Sequence, residues 1–255
     1  MQFATFHDLE DQSIFITGGG SGIGADLTKG FLSQGAQVTF IQRSNPEKFL
    51  IDCKGKYKHE PSFIECDVTN TKELKSALQT TEKNQGAISV LVNNAANDTR
   101  HTLGELTSQQ WDKTMNVNLK PHFFAAQEVV EGMKKSGGGS IINFSSISYM
   151  MGNEGYPAYA TAKSAITGLT RSLARELGPY NIRVNAIMPG WVLTKRQMDL
   201  WATEEGLSKH LDRQCLKEYL SGSDIVGGTL FLASGTSKMM TSQALVIDGG
   251  VVVTG

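Results

Sequence analysis

The chain has 255 residues and a formal net charge of −1, with 40% hydrophobic and 19% charged residues. This composition is typical of a folded globular protein that builds its core without disulfides or structural metals. A charge so near neutrality argues against general attraction to nucleic acid or to an anionic membrane surface. Cys53, Cys66 and Cys215 lack paired spacing, so we expect reduced, apolar cysteines.

The first residues and the hydropathy of the chain bear on where the protein works. Residues 1–13 carry acids where a secretory signal has a basic stretch and then an apolar run. A run of about 18 apolar residues, the length of a membrane span, does not occur. We therefore expect a cytoplasmic protein that has neither nucleic acid nor a membrane as partner. Isolated histidines without ligand spacing predict no metal site.

Short apolar segments alternate with helical patterns along the whole chain. Strands are predicted at residues 13–17, 37–41, 62–66, 89–92, 140–144, 182–187 and 244–247, and helices near 22–34, 71–84, 108–135, 158–178 and 223–234. Apolar strands without strict alternation, separated by helices, are typical of a parallel sheet covered on both faces. The sequence predicts an α/β fold with a doubly wound parallel sheet of Rossmann type. Because no linker divides the chain, residues 1–255 are expected to form a single domain.

One segment, residues 190–222, departs from this alternation. Its helical pattern follows a predicted strand directly, at the sheet edge where open α/β folds bind ligands. We therefore expect a helical substrate lid over the cleft. The alternative is a surface excursion without a role.

A glycine-rich stretch, TGGGSGIG at residues 17–24, follows the first predicted strand and leads into a helix. Glycines allow a sharp turn that brings peptide N–H groups against a pyrophosphate, beside the positive end of the helix dipole. This position predicts a dinucleotide site. The expected contacts are Gly18, Gly20, Ser21, Gly22, Ile23 and Gly24.

In dinucleotide-binding folds of this kind, the residues at the end of the second strand distinguish NAD from NADP. A carboxylate there accepts hydrogen bonds from a ribose 2′-hydroxyl and repels a 2′-phosphate. This chain has Gln42 and Arg43 instead, and a guanidinium is well suited to a phosphate. The sequence therefore predicts NADP as the preferred cofactor. The alternative is that Arg43 is a solvated surface residue and NAD is used.

Tyr159 and Lys163 lie four residues apart in a predicted helix, so both project from one face. A nearby ammonium favours the phenolate, and we expect it to lower the pKa of Tyr159 enough for acid–base catalysis. The hydroxyl of Ser146 is expected to hold the substrate oxygen. A tyrosine and a lysine four residues apart are common on helices, so the spacing alone is weak evidence for a catalytic pair. Its position after the fifth predicted strand strengthens the prediction.

Five motifs fall in one order: the glycine stretch, NNAA at 93–96, NVN at 116–118, the Ser146–Tyr159–Lys163 set and PGWVLT at 189–194. In this order the chain resembles the short-chain dehydrogenases/reductases along nearly its whole length. The resemblance implies that Tyr159 is the general acid/base, that Lys163 also grips the nicotinamide ribose, and that Asn118 holds a water in a proton relay. It places further residues along the cofactor: Asp67, Val68, Asn93, Ala95, Pro189, Gly190, Val192 and Thr194. Ala96 departs from the family pattern, which has glycine there.

The residues expected around the substrate are polar, with two tryptophans among them. The candidate substrate-binding residues are Asn97, Arg100, Ser148, Asn153, Glu154, Trp191, Arg196 and Trp201. Hydroxyl-rich ligands need many donors and acceptors, and an aromatic face packs on the C–H face of a sugar. The alternative is that many of these groups point to solvent while the tryptophans anchor the lid.

Three further segments carry a second resemblance: residues 93–101, PGWVLTKRQ at 189–197, and the later WATEEG and QCLK at 201–206 and 214–217. They resemble bacterial aldose 1-dehydrogenases, notably those acting on D-xylose and related sugars. The resemblance implies oxidation of an aldose at C1 to its lactone, with Tyr159 as the base. It fails at Gln42 and Arg43, where the NAD-linked xylose enzymes have an acidic residue. A carbonyl or 3-oxoacyl reductase and a non-catalytic nucleotide sensor are the alternative functions. By resemblance, helices near 108–135 and 158–178 pair between subunits, which implies a homotetramer or homodimer.

Overall fold

The computed structural model describes residues 3–253, and their strands form one sheet. The strands are β1 (Ser13–Thr17), β2 (Gln37–Gln42), β3 (Ser62–Glu65), β4 (Val90–Asn93), β5 (Gly139–Phe144), β6 (Ile182–Pro189) and β7 (Ala244–Ile247). They are all parallel, in the order β3-β2-β1-β4-β5-β6-β7. The predicted doubly wound, Rossmann-type fold is confirmed.

Helices connect successive strands. They are α1 (Gly22–Ser33), α2 (Glu47–Cys53), α3 (Thr71–Gln85), α4 (Ser108–Asn118), α5 (Lys120–Lys135), α6 (Ser148–Met151), α7 (Pro157–Leu177), α8 (Lys195–Leu200), α9 (Glu204–Arg213) and α10 (Gly222–Ala233). In the described part of the chain, none of them is long and apolar enough to cross a membrane. The strands β1 to β3 extend the sheet in one direction and the strands β4 to β7 extend it in the other, so the strand order reverses between β1 and β4. Ligands bind at such a switch point, outside the carboxyl ends of the strands.

Both faces of the sheet are buried. In β1, Ile14 and Ile16 pack with α1 and α10, whereas Phe15 packs on the other face with α3 and α5. All three side chains are fully buried. Successive side chains of a strand point to opposite faces, so a sheet with two cores needs apolar residues at every position. This explains why the strands lack alternation in the sequence.

The predicted helix 108–135 is wrong in one respect, because it is two helices that meet at Leu119. Pro121 follows in the first turn of α5; having no N–H, it cannot continue the hydrogen-bond ladder of α4. The N–H of His122 bonds to the carbonyl of Leu119 at 3.1 Å, one residue short of the α-helical partner, Asn118. The break places the end of α4, and with it Asn118, beside the ends of the strands.

The segment 190–222 leaves the sheet after β6 and carries α8 and α9, as its helical pattern predicts. Its two ends are joined: Val192 forms a bridge with Leu220, and the N–H of Leu193 bonds to the carbonyl of Leu220 at 2.8 Å. Because its two ends are hydrogen-bonded to each other, the segment 190–222 forms one compact excursion at the edge of the sheet, which we call the lid.

Candidate active site

A cleft of about 1530 Å³ opens along the carboxyl ends of the strands. Its wall includes residues that follow β1, β2, β3, β4, β5 and β6, and also residues of α7, α8 and α9. Its volume exceeds the roughly 300–1,000 Å³ of an ordinary ligand pocket. The cleft therefore has room for a dinucleotide and a second molecule.

The glycine stretch forms a tight turn between β1 and α1 at one end of this cleft. A side chain at Gly24 would place its Cβ 1.9 Å from the carbonyl oxygen of Gly18, so only glycine fits there. Gly22 has a φ of +53°, a left-handed conformation that favours glycine. Ser21 begins α1 without a side-chain cap, and the first turn carries no acidic residue. The N–H groups of this turn are therefore suited to an anion.

At the end of β2, Gln42 and Arg43 differ in what they contact. The side chain of Gln42 accepts from the N–H of Gly20 at 3.0 Å, which fixes it against the glycine turn. The side chain of Arg43 is 72% exposed and lies 3.8 Å from the carboxylate of Asp67. The end of β2 thus places an exposed guanidinium in the lining of the cleft.

At the end of β4, two adjacent asparagines have different surroundings. Asn93 is 1% exposed and donates to the side chain of Asn143 at 3.0 Å, so it lies inside the sheet rather than in the cleft. Its neighbour Asn94 lines the cleft and donates to the carbonyls of Thr17 and Gly18. Side chains of a strand alternate between faces, so adjacent asparagines cannot share one environment. Asn94 braces the glycine turn.

Ser146, Tyr159 and Lys163 line the middle of the cleft. The Lys163 Nζ is buried, donates to the carbonyl of Phe144 at 2.7 Å and lies 5.6 Å from the ring centre of Tyr159. Burial lowers the pKa of Lys163 to about 7. Burial, and then the charge of Asp98, raise the pKa of Tyr159, while a hydrogen bond with Ser146 lowers it.

The expected lowering of the pKa of Tyr159 by Lys163 is therefore not seen in this arrangement. The ammonium is directed to a backbone carbonyl, and burial outweighs the favourable contacts of the phenol. The same burial lowers the pKa of the lysine into the neutral range, which weakens its charge as a partner for a phenolate.

Asn118 is fully buried behind these residues, outside the cleft wall. Its side-chain amide accepts from the N–H of Asn97 at 2.8 Å and donates to the carbonyls of Asn97 and Thr114. The amide thus anchors the loop that follows β4. The helix break described above releases the backbone carbonyl of Asn118 from the usual i+4 donor.

The opposite side of the cleft is formed by the loop 97–100 and the lid. Asp98 accepts from the side-chain amide of Gln197 at 2.7 Å, and Arg196 lies 3.5 Å from its other oxygen. The indole N–H of Trp191 donates to the carbonyl oxygen of the same amide at 2.9 Å. Arg196 also donates to the side chain of Asn97 at 3.2 Å. These contacts hold α8 against the loop.

Arg100 is sandwiched between two aromatic rings. Its guanidinium carbon lies 4.1 Å from the ring centre of Tyr156 and 5.1 Å from that of Trp201, on the lid. Lid residue His210 packs edge-on against Trp191 at 5.3 Å. Among residues 3–253, buried nitrogen atoms of Arg100, Trp201 and His210 have no hydrogen-bond partner. Both tryptophans line the cleft: Trp191 contacts Gln197 and His210 within the lid segment, and Trp201 contacts Arg100 outside it.

Comparisons with known proteins agree with this geometry. A family model described as enoyl-(acyl carrier protein) reductase matches residues 18–252. The chain is 47% identical to the probable galactose dehydrogenase of Rhizobium meliloti, over 96% of this chain and 97% of that one. It is 42% identical to the D-xylose 1-dehydrogenase of Caulobacter vibrioides, over 98% and 99%.

The protein is a short-chain dehydrogenase/reductase. A 3-oxoacyl-[acyl-carrier-protein] reductase of Thermotoga maritima is 36% identical, over 96% of this chain and 99% of that one. A blue fluorescent protein from a metagenomic library, solved in complex with NADPH, superposes with a TM-score of 0.88 at 30% identity, covering 96% of this chain and all of that one. The family consists of NAD(P)-dependent oxidoreductases that act on small molecules.

The residues of this dehydrogenase fit a nicotinamide dinucleotide. The turn has no room for a Cβ at Gly24, the start of α1 has no side-chain cap and no acidic residue in its first turn, and the cleft continues from there to Tyr159. Most of the predicted cofactor residues line this part of the cleft: Gly18, Ser21, Gly22, Ile23, Gly24, Gln42, Arg43, Asp67, Val68, Ala95, Pro189, Gly190, Val192 and Thr194. Gly20 and Asn93 do not.

The substrate predictions divide in the same way. Arg100, Ser148, Asn153, Trp191, Arg196 and Trp201 line the cleft, whereas Asn97 and Glu154 do not. Asn97 uses its backbone and side chain to hold the loop, and Glu154 is exposed. Asp98 and Gln197, which lie in segments expected to face the substrate, also line the cleft. The sequence did not single out Asn94, Tyr156 or His210, and these three line the cleft as well.

Proposed function

We propose that this enzyme oxidises the C1 hydroxyl of an aldose to the lactone. The observation that carries the proposal is the polar pocket beside Tyr159, where a carboxylate, a guanidinium and two lid tryptophans meet. Sugar hydroxyls pair with such charged groups, and the aromatic rings offer a face for sugar C–H bonds. The two relatives that are 47% and 42% identical, named for galactose and D-xylose, support the same substrate class.

Tyr159 would act as the base and Ser146 would position the reacting oxygen. In the oxidation, the anomeric O–H proton passes to the Tyr159 oxygen as the C1–O bond becomes a carbonyl. When bound, the nicotinamide supplies the acceptor for the hydride that leaves C1. The pKa of Lys163, about 7, suits a residue that gives and takes a proton at neutral pH. Lys163 would therefore carry the proton away from Tyr159.

Asn118 would extend this path toward solvent. Its side chain is occupied by Asn97 and Thr114, so the group available for a water is the backbone carbonyl released at the helix break. The water would therefore bind to the backbone carbonyl of Asn118 rather than to its side chain. A substitution of Asn118 would act indirectly, by moving the loop that follows β4.

We also propose NADP as the preferred cofactor. The support is the exposed guanidinium of Arg43 at the cleft rim and the neutral side chain of Gln42, with no carboxylate at the end of β2 itself. A guanidinium binds a phosphate through two parallel hydrogen bonds. Asp67 stands 3.8 Å from Arg43, and this exposed ion pair is weak enough to yield to a phosphate.

The test is nucleotide reduction across a panel of aldoses with NADP⁺ and NAD⁺ in parallel. We expect turnover with a pentose or hexose, faster with NADP⁺. A panel in which no sugar is oxidised, while simple ketones or 3-oxoacyl thioesters are reduced, would replace the proposal with carbonyl reduction. That second function is favoured by the family model and by the 36% identical 3-oxoacyl reductase.

We propose, finally, a cytoplasmic homodimer or homotetramer in which α4, α5 and α7 pair between subunits. Trp111 and Phe123 on these helices are 39% and 43% exposed, an unusual position for large apolar side chains. Light scattering at micromolar concentration tests the assembly, and a monomeric mass would contradict it.

A further inference from the structure

One side chain connects the lid to the carboxylate beside the reacting groups. Gln197, on α8, accepts from the indole N–H of Trp191 at 2.9 Å and donates to Asp98 at 2.7 Å. An indole N–H only donates and a carboxylate only accepts. A side-chain amide, with one oxygen acceptor and one N–H₂ donor, satisfies both partners at once.

Asp98 depends on this amide for its orientation. The only other side-chain contact of its carboxylate among residues 3–253 is Arg196, at 3.5 Å, and the Arg196 side chain is 52% exposed. The bond to Gln197 is shorter and partly buried, so solvent competes with it less. Two of the roughly four acceptor positions of a carboxylate are thereby used, and the others remain for a ligand.

The carboxylate of Asp98 is close enough to influence the reacting groups. Its charge raises the pKa values of both Tyr159 and Lys163. Arg100, which lies near Tyr159, acts on its pKa in the opposite direction. A substrate hydroxyl bonded to Asp98 would therefore lie beside the groups that move the proton.

We propose that Gln197 is a positioning residue that fixes the carboxylate of Asp98 and so completes the substrate site only when α8 lies on the loop 97–100. The proposal rests on the function proposed above, because Asp98 is taken as the acceptor for substrate hydroxyls. Trp191 sets the direction of the amide, since its N–H selects the Gln197 oxygen. Asp98 is then oriented for a substrate hydroxyl only while the lid lies against the loop 97–100.

A double-mutant cycle tests this inference. The variants are Gln197→Leu, Asp98→Ala and both together, each checked for folding by thermal unfolding and for NADPH affinity. We expect each single variant to lower kcat/KM for the aldose by about tenfold or more, since a partly buried hydrogen bond to a charged group is lost. We expect the double variant to be no worse than Asp98→Ala, because Gln197 acts through Asp98. NADPH affinity should stay within about twofold.

The pH dependence of a second variant, Gln197→Glu, distinguishes a positioning role of Gln197 from a merely structural one. Gln197→Glu places a second carboxylate against Asp98, and such a pair retains one proton to a higher pH. The charged groups facing the pair are Arg196 on α8 and Lys163 on α7, with Tyr159 beside it. We expect the activity of Gln197→Glu relative to the unmodified enzyme to rise as the pH falls. The ratio for Gln197→Leu should stay flat with pH.

Met198 provides the matched controls. It is the next residue on α8, it is 49% exposed and it does not line the cleft. Met198→Leu and Met198→Glu repeat the changes in size and charge without touching Asp98, and their kcat/KM should stay within about twofold.

Losses that multiply in the double variant, or a flat pH ratio for Gln197→Glu, would overturn the inference. Its failure is distinguishable from that of the proposed function. If the unmodified enzyme oxidises no aldose but reduces a carbonyl compound, the aldose proposal fails. The same cycle run on that carbonyl compound then still reports whether Gln197 acts through Asp98.

Discussion

Tyr159 lies in surroundings that oppose its ionisation. Burial and the charge of Asp98 hold its pKa above the ordinary value, and the hydrogen bond with Ser146 offsets only part of this. A phenol used as a base under these conditions works best at high pH, so we expect the oxidation rate to rise with pH. The buried Lys163, with its pKa of about 7, is the group that responds to pH in the neutral range.

Tyr159→Phe removes only the hydroxyl that would take the proton. We expect kcat to fall by about two to four orders of magnitude, the usual contribution of a positioned acid or base. NADPH affinity should be kept, because the ring remains. Tyr149→Phe is the control, since the hydroxyl of Tyr149 bonds to Thr167 outside the cleft wall. Full activity in Tyr159→Phe would remove this residue from the mechanism.

Arg43→Ala tests the cofactor preference. The guanidinium is exposed at the cleft rim and is only weakly paired with Asp67. We expect KM for NADP⁺ to rise by about tenfold, the value of one charge-assisted phosphate contact, while KM for NAD⁺ changes little. Arg171→Ala removes an exposed arginine of α7 outside the cleft and serves as the control. Equal losses with both nucleotides would contradict a role at the 2′-phosphate.

At the scale of elements, the sequence predicted the parts whose signal is local. The strands were located within about two residues at each end, because burial on both faces forces continuous apolar runs. Gly22 and Gly24 marked the phosphate turn, since the turn itself excludes side chains. The short helices α2 and α6 were missed, because seven and four residues are too few for a helical period to show.

The rest depended on contacts between distant parts of the chain. Asn93 and Asn94 are indistinguishable in the sequence, and only the direction of each side chain from β4 assigns Asn94 to the cleft. The bond between Asp98 and Gln197 joins residues 99 positions apart. The spacing of Tyr159 and Lys163 also does not show the burial of the phenol or the nearby charge of Asp98, which raise the pKa of Tyr159.

The lid helix α9 makes a prediction at this scale. Thr203 caps it by accepting from the N–H of Gly206 at 3.1 Å, and His210 at the other end packs on Trp191. Loss of such a cap costs about 1 kcal/mol of helix stability. We expect Thr203→Ala to raise KM for the sugar by roughly threefold to fivefold. Loss of the cap lowers the fraction of molecules in which α9 is ordered over the substrate, and the apparent affinity for the sugar falls with that fraction. KM for the nucleotide should not change.

Thr107→Ala is the matched control for this change. Thr107 caps α4 in the same way, accepting from Gln110 at 3.2 Å, but α4 is not part of the lid. Equal effects of the two variants on KM for the sugar would mean that the lid is not involved.

At the scale of the whole molecule, one buried histidine ties stability to pH. His122 lies in the first turn of α5, is 1% exposed and lies beside Lys163 and the backbone carbonyls of Phe144 and Asn93. Burial, and then the charge of Lys163, lower its pKa to about 3. Within residues 3–253 neither ring nitrogen makes a hydrogen bond of normal geometry, and the carbonyls of Phe144 and Asn93 offset only part of the lowering of the pKa. The folded protein therefore keeps this imidazole neutral where an unfolded chain would charge it.

The consequence is a loss of stability in mild acid. Between pH 6.5, the unfolded value, and about 3, the unfolded chain binds a proton that the folded protein refuses, so the free energy of unfolding falls as the pH falls. The full slope for one group is about 1.4 kcal/mol per pH unit. Other groups also titrate, so the measurement is the difference between the unmodified enzyme and His122→Phe, from denaturant unfolding at pH 7 and pH 5. We expect the variant to gain about 1–2 kcal/mol relative to the unmodified enzyme between these two pH values. Val129→Ala, buried on the same helix and without a titrating group, should shift stability equally at both, and the same pH-independent shift in His122→Phe would show that the histidine is not the sensitive group.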